Sequence, residues 1–144
     1  MDMTMVCFHG SSQRFSEITD TGVFGGVFGT SEKYPALSHG AILHVITSPR
    51  PLTDFELNYV IEGAYEKALE IARGDERVAD AIMSAACPAM DQPDWDYEFG
   101  WELQRLRGKL AARLGYTSVE MLDEHGTTWL CLPGCDVASF EEAD

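Results

Sequence analysis

Cationic side chains are scarce in this sequence. Its 144 residues hold 10 lysines and arginines against 24 aspartates and glutamates, for a net charge of −14. A surface of that sign repels phosphate backbones, which argues against direct nucleic-acid binding. It suits association with a basic surface, including a protein's own nucleic-acid channel, and by itself it also serves solubility. No apolar run approaches the roughly 20 residues of a membrane span. Met1 to Met5 lacks the basic start of a signal peptide, so a cytoplasmic protein is expected. Cysteine is sparse as well. Only Cys131 and Cys135 are close, and their three-residue gap is not the C-x2-C of common zinc knuckles, so free thiols and no metal are expected. G-x-S-x-G, a P-loop, internal repeats, low-complexity segments and linkers are all missing, and no serine, cysteine or lysine stands out as a nucleophile.

What is present reads as an ordinary globular chain, 45% hydrophobic and 24% charged, expected to form one domain over 1–144. Met3 to Phe8 reads as a strand halted by a turn at His9-Gly10-Ser11-Ser12. Gly22-Val-Phe-Gly-Gly-Val-Phe-Gly29 is too apolar for a linker and lacks dinucleotide-fingerprint spacing, leaving a bulged strand, a tight hairpin or the wall of a small-molecule cleft. Ser31 to Ser38 reads as a short helix, and Ala41 to Thr47 as a strand ended by Pro49 and Pro51. Thr53 and Glu56 fit a capping box. A helix follows with Leu57, Ile61, Ala64, Ala68 and Ala72 on one face, closed by Gly74. Asp75 starts a second helix through Val78, Ile82 and Ala85; a third spans Gly100 to Leu114, with Gly115 at its end. Between them Pro88 to Glu98 is an acidic, aromatic loop. Tyr116 to Leu122 and Thr127 to Leu132 read as strands joined by a turn over Asp123 to Gly126. The fold class expected is α+β, with strands at both ends and helices between.

Two places could carry chemistry. His9 lies at a strand end beside Gly10 and two serines, where donors can converge on a ligand, although a lone histidine there is also a common structural residue. Glu120, Asp123 and Glu124 crowd carboxylates at a strand end, which suits either a cleft or an acidic hairpin turn. From the residues alone, the reading stops at a cleft with a histidine, a glycine-rich wall and a carboxylate.

Taken in order, Phe8-His-Gly-Ser11, Gly22 to Thr30, Ala36-Leu-Ser-His-Gly40 and Gly115 to Gly126 resemble the ADP-ribosyltransferase fold, in its His-Tyr-Glu branch. Adding Leu-Thr-Asp at 52–54, Trp101 to Gly108 and His125 to Cys135, the chain is similar over nearly its whole length to a phage anti-CRISPR ADP-ribosyltransferase family acting on type I-F systems. The resemblance implies split antiparallel sheets and NAD as ADP-ribose donor. It places His9, Gly10, Ser11, Phe28, Thr30, Ser38 and His39 in the NAD pocket and Asp123 as catalytic acid, with Glu120 and Glu124 as rivals. The departures are Phe28 in place of a tyrosine, His39 where many relatives carry a second tyrosine, and an aspartate for the usual glutamate. The implied partner is the type I-F surveillance complex in the infected host's cytoplasm, modified on an asparagine of its PAM-reading large subunit by a monomeric enzyme. The acidic loop Asp91 to Glu98 is an expected target-facing surface. An acidic DNA mimic and an NAD glycohydrolase are the alternatives.

Overall fold

The structure, a computed structural model, describes residues 4–32, 42–87, 94–123 and 126–141. Two sheets form its frame. In the first, β1 (Met5–Ser11), β3 (Ile42–Ser48) and β7 (Asp136–Glu141) lie in the order β1-β3-β7, all antiparallel. The second has the order β2-β6-β5-β4, from β2 (Val27–Gly29), β6 (Gly126–Cys131), β5 (Ser118–Asp123) and β4 (Pro51–Leu52). Its pairs are antiparallel except β4 with β5, which run parallel. Among the described residues, four helices come between the strands: α1 (Asp54–Tyr59), α2 (Ala64–Ile71), α3 (Glu76–Met83) and α4 (Tyr97–Arg113). The larger core lies between these helices and the second sheet, around Leu57, Ile82, Leu103, Leu110, Val119 and Leu130. A smaller one joins the two sheets through Cys7, Ile18, Ile46 and Cys131.

The expected α+β architecture is present, with local corrections. His9, Gly10 and Ser11 do not form a turn; they extend β1 opposite His44, Leu43 and Ile42, because a long partner strand offers hydrogen bonds that outweigh local glycine and serine preferences. The helix expected to run from Thr53 to Ala72 is two helices. Its apolar spacing holds, but Gly63 takes φ +79° ahead of α2, and Leu57 and Ala68 reach one core from two separate helices. The capping box on α1 is present in full, with each partner bonding the other's amide. Asp75 caps α3, which stops at Ser84 in extended conformation and does not include Ala85. Helix α4 begins at Tyr97, three residues before Gly100, because Asp96 accepts from the Phe99 amide and caps it there. Asp123 is not a turn residue but the last residue of β5, opposite Gly126. Tyr116 and Thr117 fall outside that strand. Pro49 closes β3 as expected, whereas Pro51 opens β4. Strand β7 was not legible in Asp136 to Glu141, whose only large apolar residues are Val137 and Phe140. Of the expected helix over Ser31 to Ser38, Ser31 and Glu32 are non-helical and the remainder lies outside the described residues.

The glycine-rich segment has mainly packing reasons. A Cβ on Gly26 would run into the Cys131 carbonyl, and one on Gly29 would come within 2.5 Å of Cys7 Sγ. Gly25 supplies φ +68° for the turn into β2, and its amide donates to the Gly22 carbonyl at 3.2 Å.

Candidate active site at the seam of the two sheets

Among the described residues, one isolated backbone bridge joins the sheets. The Phe8 amide donates to the Thr30 carbonyl at 2.7 Å and the Thr30 amide to the Phe8 carbonyl at 2.8 Å. With both main-chain groups of Phe8 turned to that side, strand alternation turns those of Gly10, two residues on, the same way and away from β3. The ladder between β1 and β2 does not extend to Gly10 among the described residues. Buried Gly10 therefore turns one donor and one acceptor side by side past the bridge at the seam of the sheets, the complement of a primary carboxamide.

His9 is oriented beside it by contacts on several sides. Its Nδ1–H donates to the Phe28 carbonyl at 2.6 Å, which ties β1 to β2 just past the bridge. The imidazole meets the edge of Phe15 with ring centres 5.7 Å apart. Phe15 in turn stacks on His44 at 4.0 Å. The Phe15 amide donates to His44 Nε2 at 3.3 Å, which leaves the proton on Nδ1; that group donates to the His9 carbonyl at 3.1 Å. His44, fully buried, thus holds both the backbone of His9 and the ring that braces its side chain. Ser139 Oγ, in the same row of the sheet, donates to the Phe15 carbonyl at 3.0 Å.

The remaining expected pocket residues are dispersed. Phe28 is half-buried, edge-on to Phe24 at 4.9 Å. Ser11 and Thr30 use their hydroxyls locally, donating to the carbonyls of Gln13 and Glu32. Ser38, His39 and Glu124 lie outside the described residues. Asp123 ends β5 opposite Gly126. Glu120, three residues earlier, shares a row with Trp129 and Gly29, and its Oε1 accepts from the Asp54 amide at 2.8 Å. Glu120 is thereby committed to the start of α1.

Behind β5 lies a group that the sequence reading missed. Arg107 is completely buried. Its guanidinium donates to the Glu120 carbonyl at 2.9 and 3.2 Å, to the Ile82 carbonyl at 3.0 Å and to Asp54 Oδ1 at 2.9 Å. One cation from α4 thus fastens β5, the end of α3 and the start of α1. Its position, four residues after Leu103 on the apolar stripe of α4, was the signal available for it. For His44, the signal was a histidine inside an otherwise apolar strand.

The cysteines are free thiols. Cys7 and Cys131 touch across the sheets with sulfurs 3.3 Å apart, and burial pushes the Cys87 thiol up to about 12. No cluster able to hold a metal occurs among the described residues, and no helix there is long and apolar enough to cross a membrane.

Comparison with known proteins places this geometry. A family model described as Anti-CRISPR Type I-F ADP-ribosyltransferase AcrIF11 matches residues 5–139. A solved structure described as "Crystal structure of an anti-CRISPR protein" is similar at 64% identity over 96% of each chain, with a TM-score of 0.89. Among curated proteins none matches. The matched span runs from the first residue of β1 into β7, so it takes in the seam, the His9 brace and the β5 carboxylates together. The chain belongs to the anti-CRISPR type I-F ADP-ribosyltransferases, enzymes whose group donor is NAD.

Proposed function

We propose that this enzyme transfers one ADP-ribose from NAD to an asparagine in the PAM-reading large subunit of the type I-F surveillance complex, and so blocks DNA binding. The observation that carries the proposal is the backbone donor and acceptor of Gly10, turned away from β3 and without a backbone partner among the described residues, beside a fixed His9 at the seam of the sheets. They fit the carboxamide and adenosine-side ribose of NAD respectively, and Phe28 offers its ring to the nicotinamide. Ser11 and Thr30 border the same seam on β1 and just after β2, and Ser38 and His39 complete the pocket in this reading. NAD brings an ADP-ribosyl group on a positively charged leaving group. The protein's part is to orient it and to stabilise positive charge that grows on the sugar as the bond breaks, the demand met by carboxylates in glycosidases. Asp123 takes that role, because a fixed carboxylate favours the charged transition state over the ground state. Glu120 is the weaker candidate, since its carboxylate already accepts from the Asp54 amide.

The target follows from the family's type I-F specificity together with charge. A net charge of −14 complements a basic DNA-reading channel, and favours fast, salt-sensitive association. ADP-ribose placed there adds bulk and two phosphates where DNA phosphates must bind. The same charge also favours a mimic that fills the channel without chemistry.

Intact mass spectrometry of the purified surveillance complex tests these readings. The complex is incubated with NAD and a tenth as much of this protein, as wild type and as Asp123→Ala. A near-complete gain of one ADP-ribose on the large subunit, lost in the variant, is the expected result. A gain that survives the variant moves the acid to Glu120 or Glu124. Blocked DNA binding at stoichiometric protein with no mass change puts the mimic first. Nicotinamide released at full rate without any target identifies a glycohydrolase.

A further inference from the structure

Helix α1 exposes large apolar side chains where a short capped helix has no folding reason to keep them. Phe55 is 65% exposed, Tyr59 77% and Val60 59%. The Phe55 and Tyr59 rings lie 5.2 Å apart, so they form one patch. Leu57 alone turns inward. Two bonds seat the patch next to the catalytic strand. Asn58 Nδ2 donates to the Met83 carbonyl at 3.0 Å, and the Leu122 amide donates to the Ala85 carbonyl at 2.9 Å, so α1 and Leu122 flank the same segment after α3. Leu122 is itself 51% exposed and immediately precedes Asp123.

Charge identifies the occupant. From residue 51 to residue 66 the chain carries Asp54, Glu56, Glu62 and Glu66 and no lysine or arginine. Asp54 is partnered by Arg107 and Glu56 accepts from the Thr53 amide and hydroxyl, while Glu62 and Glu66 follow the aromatic residues of α1 with no cation between them. A second copy would bring −14 against −14, which opposes self-association. Aromatic anchors within an acidic stretch of chain suit a basic protein surface. The described part of the acidic 88–98 loop is less available for this purpose. Asp94 there pairs with Arg77 at 3.0 Å, and Trp95 packs against Phe99 with centres 4.9 Å apart.

We infer that Phe55, Tyr59 and Val60 of α1, continued by Leu122, form the docking surface for the basic face of the target protein, and set its acceptor side chain against the end of β5. The inference rests on the surveillance complex being the target. The test compares wild type, Phe55→Ser/Tyr59→Ser and Phe140→Ser, the last changing another exposed aromatic, on β7. For each, NAD binding is measured by calorimetry, and affinity and kcat/KM on the purified complex are measured at low and moderate salt. Expected is a loss of ~10-fold or more in affinity and kcat/KM for the double variant, the scale of interface anchors. NAD binding and the Phe140→Ser rates stay at wild-type values. Wild-type rates in the double variant overturn the docking surface and leave the proposed function standing. A loss confined to Phe140→Ser moves docking to β7. Wild-type protein that neither binds nor modifies the complex overturns both readings. Binding without modification, weakened by the double variant, keeps the surface and overturns the transferase target.

Discussion

Arg107 and Asp54 form an ion pair whose cation is wholly buried and whose carboxylate reaches solvent, at 2.9 Å. The other guanidinium bonds go to backbone carbonyls, so the pair acts as a fastener between β5 and two helices. Removing one side strands the other. Arg107→Met leaves two buried carbonyls short of donors and is expected to lower stability by about 3–5 kcal/mol. Asp54→Ala leaves the guanidinium most of its bonds and some water access, and is expected to cost roughly 1–3 kcal/mol. Urea unfolding midpoints check both; equal midpoints for Arg107→Met and wild type would show that the cation is not a fastener.

Glu120 and Asp123 separate by different readouts. Glu120→Ala removes the acceptor at the first amide of α1, and is expected to cost about 0.5–2 kcal/mol of stability, as loss of a helix cap does. Its transferase rate should fall less than that of Asp123→Ala, for which a loss above ~10²-fold is expected, comparable to loss of one oxyanion donor. Thermal melts alongside single-turnover rates distinguish the two, and the reverse ordering of rates would make Glu120 the acid.

In the proposed reading, His44 acts on NAD through His9 and Phe15. His44→Phe keeps a ring to stack on Phe15 but loses both hydrogen bonds. The KM for NAD should rise about tenfold, the equivalent of ~1.4 kcal/mol, with a smaller change in kcat. An unchanged KM in a folded variant removes His44 from the positioning chain.

Glycine positions in the 22–29 segment should divide by packing. Gly26→Ala meets the Cys131 carbonyl, which is backbone and cannot swing aside; about 1–3 kcal/mol of destabilisation is expected. Gly22→Ala has no heavy atom within 4 Å of the new methyl and should melt with the wild type. Differential scanning calorimetry reads both, and equal losses would contradict the packing account.

Thiol chemistry reports the same interior. Cys7, Cys131 and Cys87 are buried, and at pH 8 the Cys87 thiol, pushed up to about 12, holds its proton. Ellman's reagent should find one fast thiol, half-buried Cys135, in the native protein and four after unfolding. Rapid native reaction of a second thiol would place one of the buried sulfurs at the surface.

Much of this protein is written locally. The acidic excess, the capping box at Thr53 and Glu56, the leucine stripe of α4 and the glycine after it depend on neighbours within a few residues, so the linear order reveals them. The sequence of motifs from Phe8 to Cys135 likewise identified the family. Other features needed contacts between distant segments. β1 carries on through His9 and Gly10 because β3 lies alongside. The single expected helix divides into α1 and α2 at left-handed Gly63, and both halves reach a common core. Asp123 leaves the turn because Gly126 pairs with it. The Phe8–Thr30 seam, the tautomer of His44 and the burial of Arg107 each join groups that lie 13 to 53 residues apart. A buried donor or acceptor must find a partner somewhere, and chain order does not say where; only the tertiary structure decides which one it meets.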